Sequence, residues 1–272
     1  MSSSRTATPP ANGALWAGAA LALVAALSWV QTVRYASSMV MPSGAPSFAE
    51  GAAFTLQWGV MMTAMMVPSA IPMVLMYRTV SERLAARGEV SAPVWMFAGV
   101  YLVAWLLPGI PLYLLHVALR AGTERWTPLA TAVPYLVALT LAAAGAYQFT
   151  SVKRACLRAC ESPIGFLMRR WKSGYAATLR LAVAHAAYCL GCCWGLMAIL
   201  VVAGAMSLPW TLAIGAVVFA EKTLPNGGRT ARVVGAALLV LAAAVALRPE
   251  LAQRLSAVGA NAPMSMDMDM PM

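Results

Sequence analysis

Apolar positions in this chain come in long blocks rather than in the single alternation of a half-buried strand. Seven blocks stand out, at about 14–33, 52–77, 94–119, 129–149, 178–205, 208–222 and 233–247. A helix that crosses a bilayer needs roughly 20 mostly apolar residues. The pattern therefore predicts an all-α, polytopic transmembrane helical bundle of about seven spans (six to seven). The last two blocks are short, and the sixth ends on the charged pair Glu221-Lys222. The stretch 150–177 is too charged to span; it reads as a cytoplasmic loop with a short interfacial helix whose basic residues face lipid headgroups. Residues 1–13 are expected to be a disordered N-terminus, 14–250 the transmembrane domain, and 251–272 a flexible Met-rich tail. Only Arg5 precedes the first block, so it does not read as a cleavable signal peptide. No internal repeat of the inverted-repeat transporter kind is visible.

Composition sharpens this picture. Of 272 residues, 61 % are hydrophobic and 10 % charged, and the mean hydropathy is +0.73. Soluble domains carry about 25 % charged residues. A soluble enzyme, a secreted disulfide scaffold and a nucleic-acid-binding domain are thereby excluded, and the lipid bilayer is the expected partner. The formal charge of +10 is a topology signal rather than a nucleic-acid footprint. Five basic residues, Arg34, Arg120, Arg125, Arg248 and Arg254, fall on one side of the predicted membrane; the other 14 fall on the opposite side. The positive-inside rule then places the N-terminus in the cytoplasm and the C-terminus in the periplasm of a bacterial inner membrane.

Candidate chemistry is dominated by sulfur. The chain has 18 Met and 5 Cys but only 2 His. In the second block Met61 and Met65 form one i, i+4 pair, and Met62 and Met66 form another. Uncharged thioethers suit Cu(I) and discriminate against harder ions, and they avoid the cost of a carboxylate in lipid. Methionine is also a flexible filler of irregular helix packing, so the pattern alone leaves both readings open. Pro68 and Pro72 are expected to kink this helix just past the cluster.

The fifth block carries His185, Cys189, Cys192 and Cys193, with His185, Cys189 and Cys193 repeating the i, i+4 spacing. Thiolates and imidazole hold Cu(I) or zinc; the alternative is that buried cysteines serve as small hydrophobes. From a rise of about 1.5 Å per residue, the methionines and these residues fall at overlapping depths near the midplane. They form one site if their helices pack together. A second pair, Cys156 and Cys160, lies past the fourth block on the cytoplasmic side, where thiols stay reduced. In the tail, Met264, Met266, Asp267, Met268, Asp269, Met270 and Met272 alternate thioether and carboxylate, and these are the only two Asp in the chain. Met39 and Met41 fall on the same predicted face. His116 reads as structural, and Glu221-Lys222 as a snorkelling interfacial pair.

Several of these stretches resemble a bacterial family of unknown function, known only as predicted metal-binding integral membrane proteins. They are Trp58-x-x-Met-Met-x-x-Met-Met-x-Pro68, Tyr101-x-x-Ala-Trp105, Gly145-Ala-Tyr-Gln through Lys153, Cys156 and Cys160 to Pro163, and Tyr188 to Met197 with its Gly191-Cys-Cys-Trp194 core. The resemblance covers about residues 50–240. It implies a polytopic membrane protein with a metal site and no established reaction.

The sequence thus points first to copper(I) handling: transport, relay or delivery across or within the inner membrane, with zinc a second candidate at the cysteines. A periplasmic copper-binding protein or a cuproenzyme would be the partner. Two rival readings remain, a membrane thiol-disulfide redox protein and a structural or assembly subunit of a copper-dependent membrane complex.

Overall fold

The computed structural model describes residues 11–37, 47–204 and 207–259. Among these the regular elements are all helices: α1 (Ala11–Ser37), α2 (Phe48–Ala85), α3 (Val94–Leu106), α4 (Gly109–Arg125), α5 (Thr127–Tyr147), α6 (Ser151–Glu161), α7 (Pro163–Arg170), α8 (Tyr175–Gly204), α9 (Leu208–Thr223), α10 (Gly227–Leu247) and α11 (Glu250–Gly259). Met39, Met41 and the Met/Asp tail lie outside the described residues.

Local sequence accounts for the element boundaries. Ser47 and Glu50 form a reciprocal capping box that opens α2, satisfying two amide donors that the first turn leaves without partners. Pro108 separates α3 from α4, and Thr150 caps α6 by accepting from the Lys153 amide at 3.1 Å. Pro68 and Pro72 both lie inside α2, which continues through them for 38 residues. In that stretch the Met66 carbonyl accepts from Ser69 Oγ at 2.9 Å and from the Tyr101 hydroxyl at 3.5 Å.

Among the described residues, five segments are long and apolar enough to cross a membrane: Gly13–Ala36, Phe48–Ala85, Val94–Arg125, Tyr175–Val202 and Gly227–Leu247. A sixth arises if Thr131–Tyr147 and Ser151–Glu161, bent by 64°, are counted as one broken span. The expectation of about seven departs from this at 208–222. There α9 has 16 residues, about 24 Å of helix, which falls short of a hydrocarbon layer about 30 Å thick. The charged stretch 150–177, expected as a loop with one short helix, folds as two helices, α6 and α7. Lys153, read from the sequence as facing headgroups, is instead fully buried.

The helices sort into inner and outer sets. In α2 and α8, 56 % of the most apolar stretch is buried inside the protein, against 6 % in α1. Outer helices present large apolar side chains outward, among them Leu15, Trp16, Leu114, Leu139, Val240 and Leu247. In water such a surface would drive association; against lipid tails it costs nothing. Around the α2–α8 centre, α1 packs along α2, α3 and α6 along α8, α9 against α2, and α5 pairs with α10. The Trp58 indole donates to the Trp105 carbonyl at 3.2 Å, fastening α2 to α3.

The α5–α10 pair is held close by Gly145 and Gly235. A Cβ on Gly235 would come 2.7 Å from the Phe149 ring, 2.8 Å from Gln148 Cβ and 3.0 Å from the Gly145 carbonyl. The Gln148 Cβ is fixed to its backbone and the Gly145 carbonyl is backbone, so neither can swing away, and the Gly235→Ala protein is expected to lose about 1–3 kcal/mol of stability. At Gly99 nothing stands within 4 Å of a new Cβ, and Gly99→Ala is expected to be neutral or stabilising by up to about 1 kcal/mol. Thermal unfolding of both variants in detergent checks the contrast.

Candidate metal centre

The centre is assembled where α6 meets α8. Gly191 on α8 leaves room for α6: a Cβ there would stand 2.8 Å from Cys156 Sγ. Tyr147, at the end of α5, donates its hydroxyl to the Gly191 carbonyl at 2.5 Å. The bend between α5 and α6 turns the latter back across α8. As a result Cys160 joins the α8 thiols, and the Sγ atoms of Cys160, Cys189 and Cys192 all lie within 4.8 Å of one another. Cys160 Sγ and Cys192 Sγ are 3.8 Å apart. Cys189 and Cys192 are buried and Cys160 is half-buried.

Metal–thiolate bonds run to about 2.3 Å, so three sulfurs in a plane around one ion stand about 4.0 Å apart. The three thiols therefore fit a soft metal ion with shifts of less than an ångström. Cys193 extends the set. Its Sγ lies 4.0 Å from the thioether of Met66 on α2, and it donates to the Cys189 carbonyl at 2.9 Å. The Met helix and the Cys helix, whose packing the sequence left open, touch through this side-chain contact, while α3 and α9 pack against both.

The predicted ligands divide into those the fold brings together and those it does not. Met61, Met62, Met65 and Met66 are all buried, yet of the four it is Met66 that reaches the thiols. Met61 Sδ accepts from the Thr211 hydroxyl at 3.4 Å, and Met65 lies beside Gly215 of α9. Cys156 stands against Gly191, outside the thiol triad. His185, although one turn from Cys189, is stacked between Tyr101 at 5.3 Å and Phe97 at 5.9 Å, with Phe166 edge-on at 6.0 Å. Neither of its ring nitrogens has a hydrogen-bond partner among the described residues. Its ring packs as an aromatic surface, which the i, i+4 spacing cannot distinguish from a ligand pointing at the cluster.

Three polar residues that sequence reasoning did not place in the site lie in it. Lys222 Nζ is 3.0 Å from Cys189 Sγ, 3.4 Å from Ser69 Oγ and 3.7 Å from Met66 Sδ. The Tyr101 hydroxyl is 3.1 Å from Cys189 Sγ. Lys153 Nζ pairs with Glu221 Oε2 at 2.6 Å and also donates to the Cys192 carbonyl. The other carboxylate oxygen of Glu221 accepts from Gln148 Nε2 at 3.0 Å. Glu221 and Lys222 therefore do not snorkel; both are buried. The available signal was an acid and a base adjoining an apolar block, since ionisable groups at such depth are functional by default.

The Lys153–Glu221 pair, each side chain 1 % exposed, ties α6 to α9 and to the backbone of the thiol cluster. Removing one partner strands a buried charge, so Glu221→Leu alone is expected to cost about 3–5 kcal/mol. Adding Lys153→Met to it should recover much of that loss, because no charge is then left unpaired. Thermal unfolding in detergent of both single variants and of the double variant measures the coupling.

No curated protein matches this chain, and no solved structure does so either. The family model named PpoB2, described as a copper chaperone, matches residues 55–245. That stretch holds Met66, Tyr101, Lys153, the five cysteines and the Glu221-Lys222 pair, and it coincides with the region of resemblance read from the sequence motifs. With well over half of its residues matched, the chain belongs to the PpoB2 copper chaperone family.

Proposed function

We propose that this protein is a multi-pass bacterial inner-membrane copper chaperone that holds Cu(I) on Cys160, Cys189 and Cys192 and passes it to an acceptor. The reading rests above all on one observation: thiols from two helices, α6 and α8, converge within 4.8 Å. Their softness favours Cu(I) over magnesium, calcium or manganese, and the family description is in line with it. Met66 and Cys193, adjacent to each other at 4.0 Å, offer neighbouring sulfurs onto which the ion moves by ligand exchange. Tyr101, at 3.1 Å from Cys189 Sγ, orients that thiol. The N-terminus lies in the cytoplasm, and the Met/Asp tail lies in the periplasm, where it captures the ion. A periplasmic copper-binding protein or a cuproenzyme is the partner.

Thiol-disulfide exchange is the second reading, and the 3.8 Å separation of Cys160 Sγ and Cys192 Sγ favours it. Closure to a disulfide of about 2.05 Å releases two protons and two electrons to a quinone or to a partner's disulfide. It ranks below copper delivery because it gives Met66 and Cys193 no role.

The test is a titration of the reduced, detergent-purified protein with Cu(I) against a competing chelator under anaerobic conditions. The full chain and a chain cut after Asn261 are both expected to bind one Cu(I) tightly in the helical domain. Cys160→Ser and Cys192→Ser should each weaken that binding by about 100-fold or more, since losing even an outer-shell partner costs about 10–100-fold. Binding that disappears with the tail, or that ignores both cysteine changes, overturns the assignment. Oxidation by a quinone that protects Cys160 and Cys192 from alkylation, in a protein that does not hold Cu(I), selects the redox reading instead.

A further inference from the structure

Lys222 presents a problem in electrostatics that copper holding by the thiols does not by itself explain. Its ammonium is buried, and a buried charge is stable only when paired and hydrogen-bonded. The neighbouring carboxylate is Glu221, but adjacent residues on a helix point about 100° apart. Glu221 is turned toward Lys153 and Gln148, while Lys222 is turned toward α2 and α8. Among the described residues no carboxylate lies within ion-pair distance of Lys222. Its partners are two sulfurs and a hydroxyl: Cys189 Sγ, Met66 Sδ and Ser69 Oγ. Lys153 and Glu221 cancel one another, so the fixed charge that the protein places at the thiol cluster is a single positive one.

That charge decides which ion balances the site. Whatever charge the sulfurs carry, the ammonium 3.0 Å from Cys189 Sγ makes the site one unit less negative, which moves its balance toward an ion of lower charge. Without Lys222 the sulfurs keep their full negative charge, which favours a divalent ion more than the same site with the ammonium in place. The repulsion between the ammonium and an incoming ion also doubles when the ion's charge doubles. We propose that Lys222 is the specificity-determining residue of the cluster, a built-in cation that makes it prefer monovalent Cu(I) over divalent Zn(II). This rests on the reading of Cys160, Cys189 and Cys192 as the Cu(I) site. Lys222 contributes no metal ligand; it acts through the charge it holds beside the sulfurs.

Competition experiments on the full-length protein in detergent test the idea, with Cu(I) and Zn(II) each titrated against a chelator of known affinity. The wild-type chain, Lys222→Met, Lys222→Gln and Lys222→Arg are compared. In the Met and Gln variants the affinity ratio of Zn(II) to Cu(I) is expected to rise by about tenfold or more. Lys222→Arg keeps the charge and should keep the ratio close to that of the wild type. A general loosening of the fold would weaken both metals together and leave the ratio unmoved. The proposal fails if the ratio is unchanged in both neutral variants, or if Lys222→Arg shifts it as far as Lys222→Met does. Failure of the wild-type chain to bind Cu(I) is a separate result, which removes the copper assignment itself.

Discussion

Between α6 and α9 an ammonium and a carboxylate meet at 2.6 Å with almost no exposure to the surroundings. In a medium without water neither Lys153 nor Glu221 is affordable alone, so the two helices have one relative placement in which both charges are satisfied. Lys153 also donates to the Cys192 carbonyl, so that placement reaches into α8 at the turn carrying the thiols. Gln148 completes the arrangement from the end of α5. The position of Cys160 against Cys189 and Cys192 follows from this network. A thiol is too weak a hydrogen-bonding group to draw two helices together.

Around that fixed point the sulfur groups occupy graded surroundings. The Cys160 side is half-buried, and the Cys189 and Cys192 side is buried. Cys193 and Met66 are buried as well and meet at 4.0 Å. Under the copper-chaperone reading proposed above, neighbouring sulfurs of this kind let an ion move by exchanging one soft ligand for another a few ångströms away. His185 stands apart from these sulfurs. Its stacking between Tyr101 and Phe97 makes it a wall for Tyr101, whose hydroxyl touches Cys189.

Much was legible in the chain alone. Block hydropathy and the scarcity of charge determine an all-helical protein suited to lipid, because only helices and closed barrels satisfy the backbone in hydrocarbon. The sulfur-rich motifs identify the segments that carry the chemistry, since thioethers and thiols at i, i+4 spacing share a helix face whatever the fold. Beyond one helix that periodicity is silent. It grouped Cys156 with Cys160 and His185 with Cys189, both true of their own helices, whereas packing separates each pair. The chain bends after Tyr147, Gly191 admits α6, and of the two thiols on α6 it is Cys160 that meets the α8 pair. The roles of Lys153, Glu221 and Lys222 were likewise decided by tertiary structure. A charged residue near the end of an apolar block reads as interfacial until a partner from another helix takes it inside, and that partner is fixed by three-dimensional packing rather than by spacing along the chain.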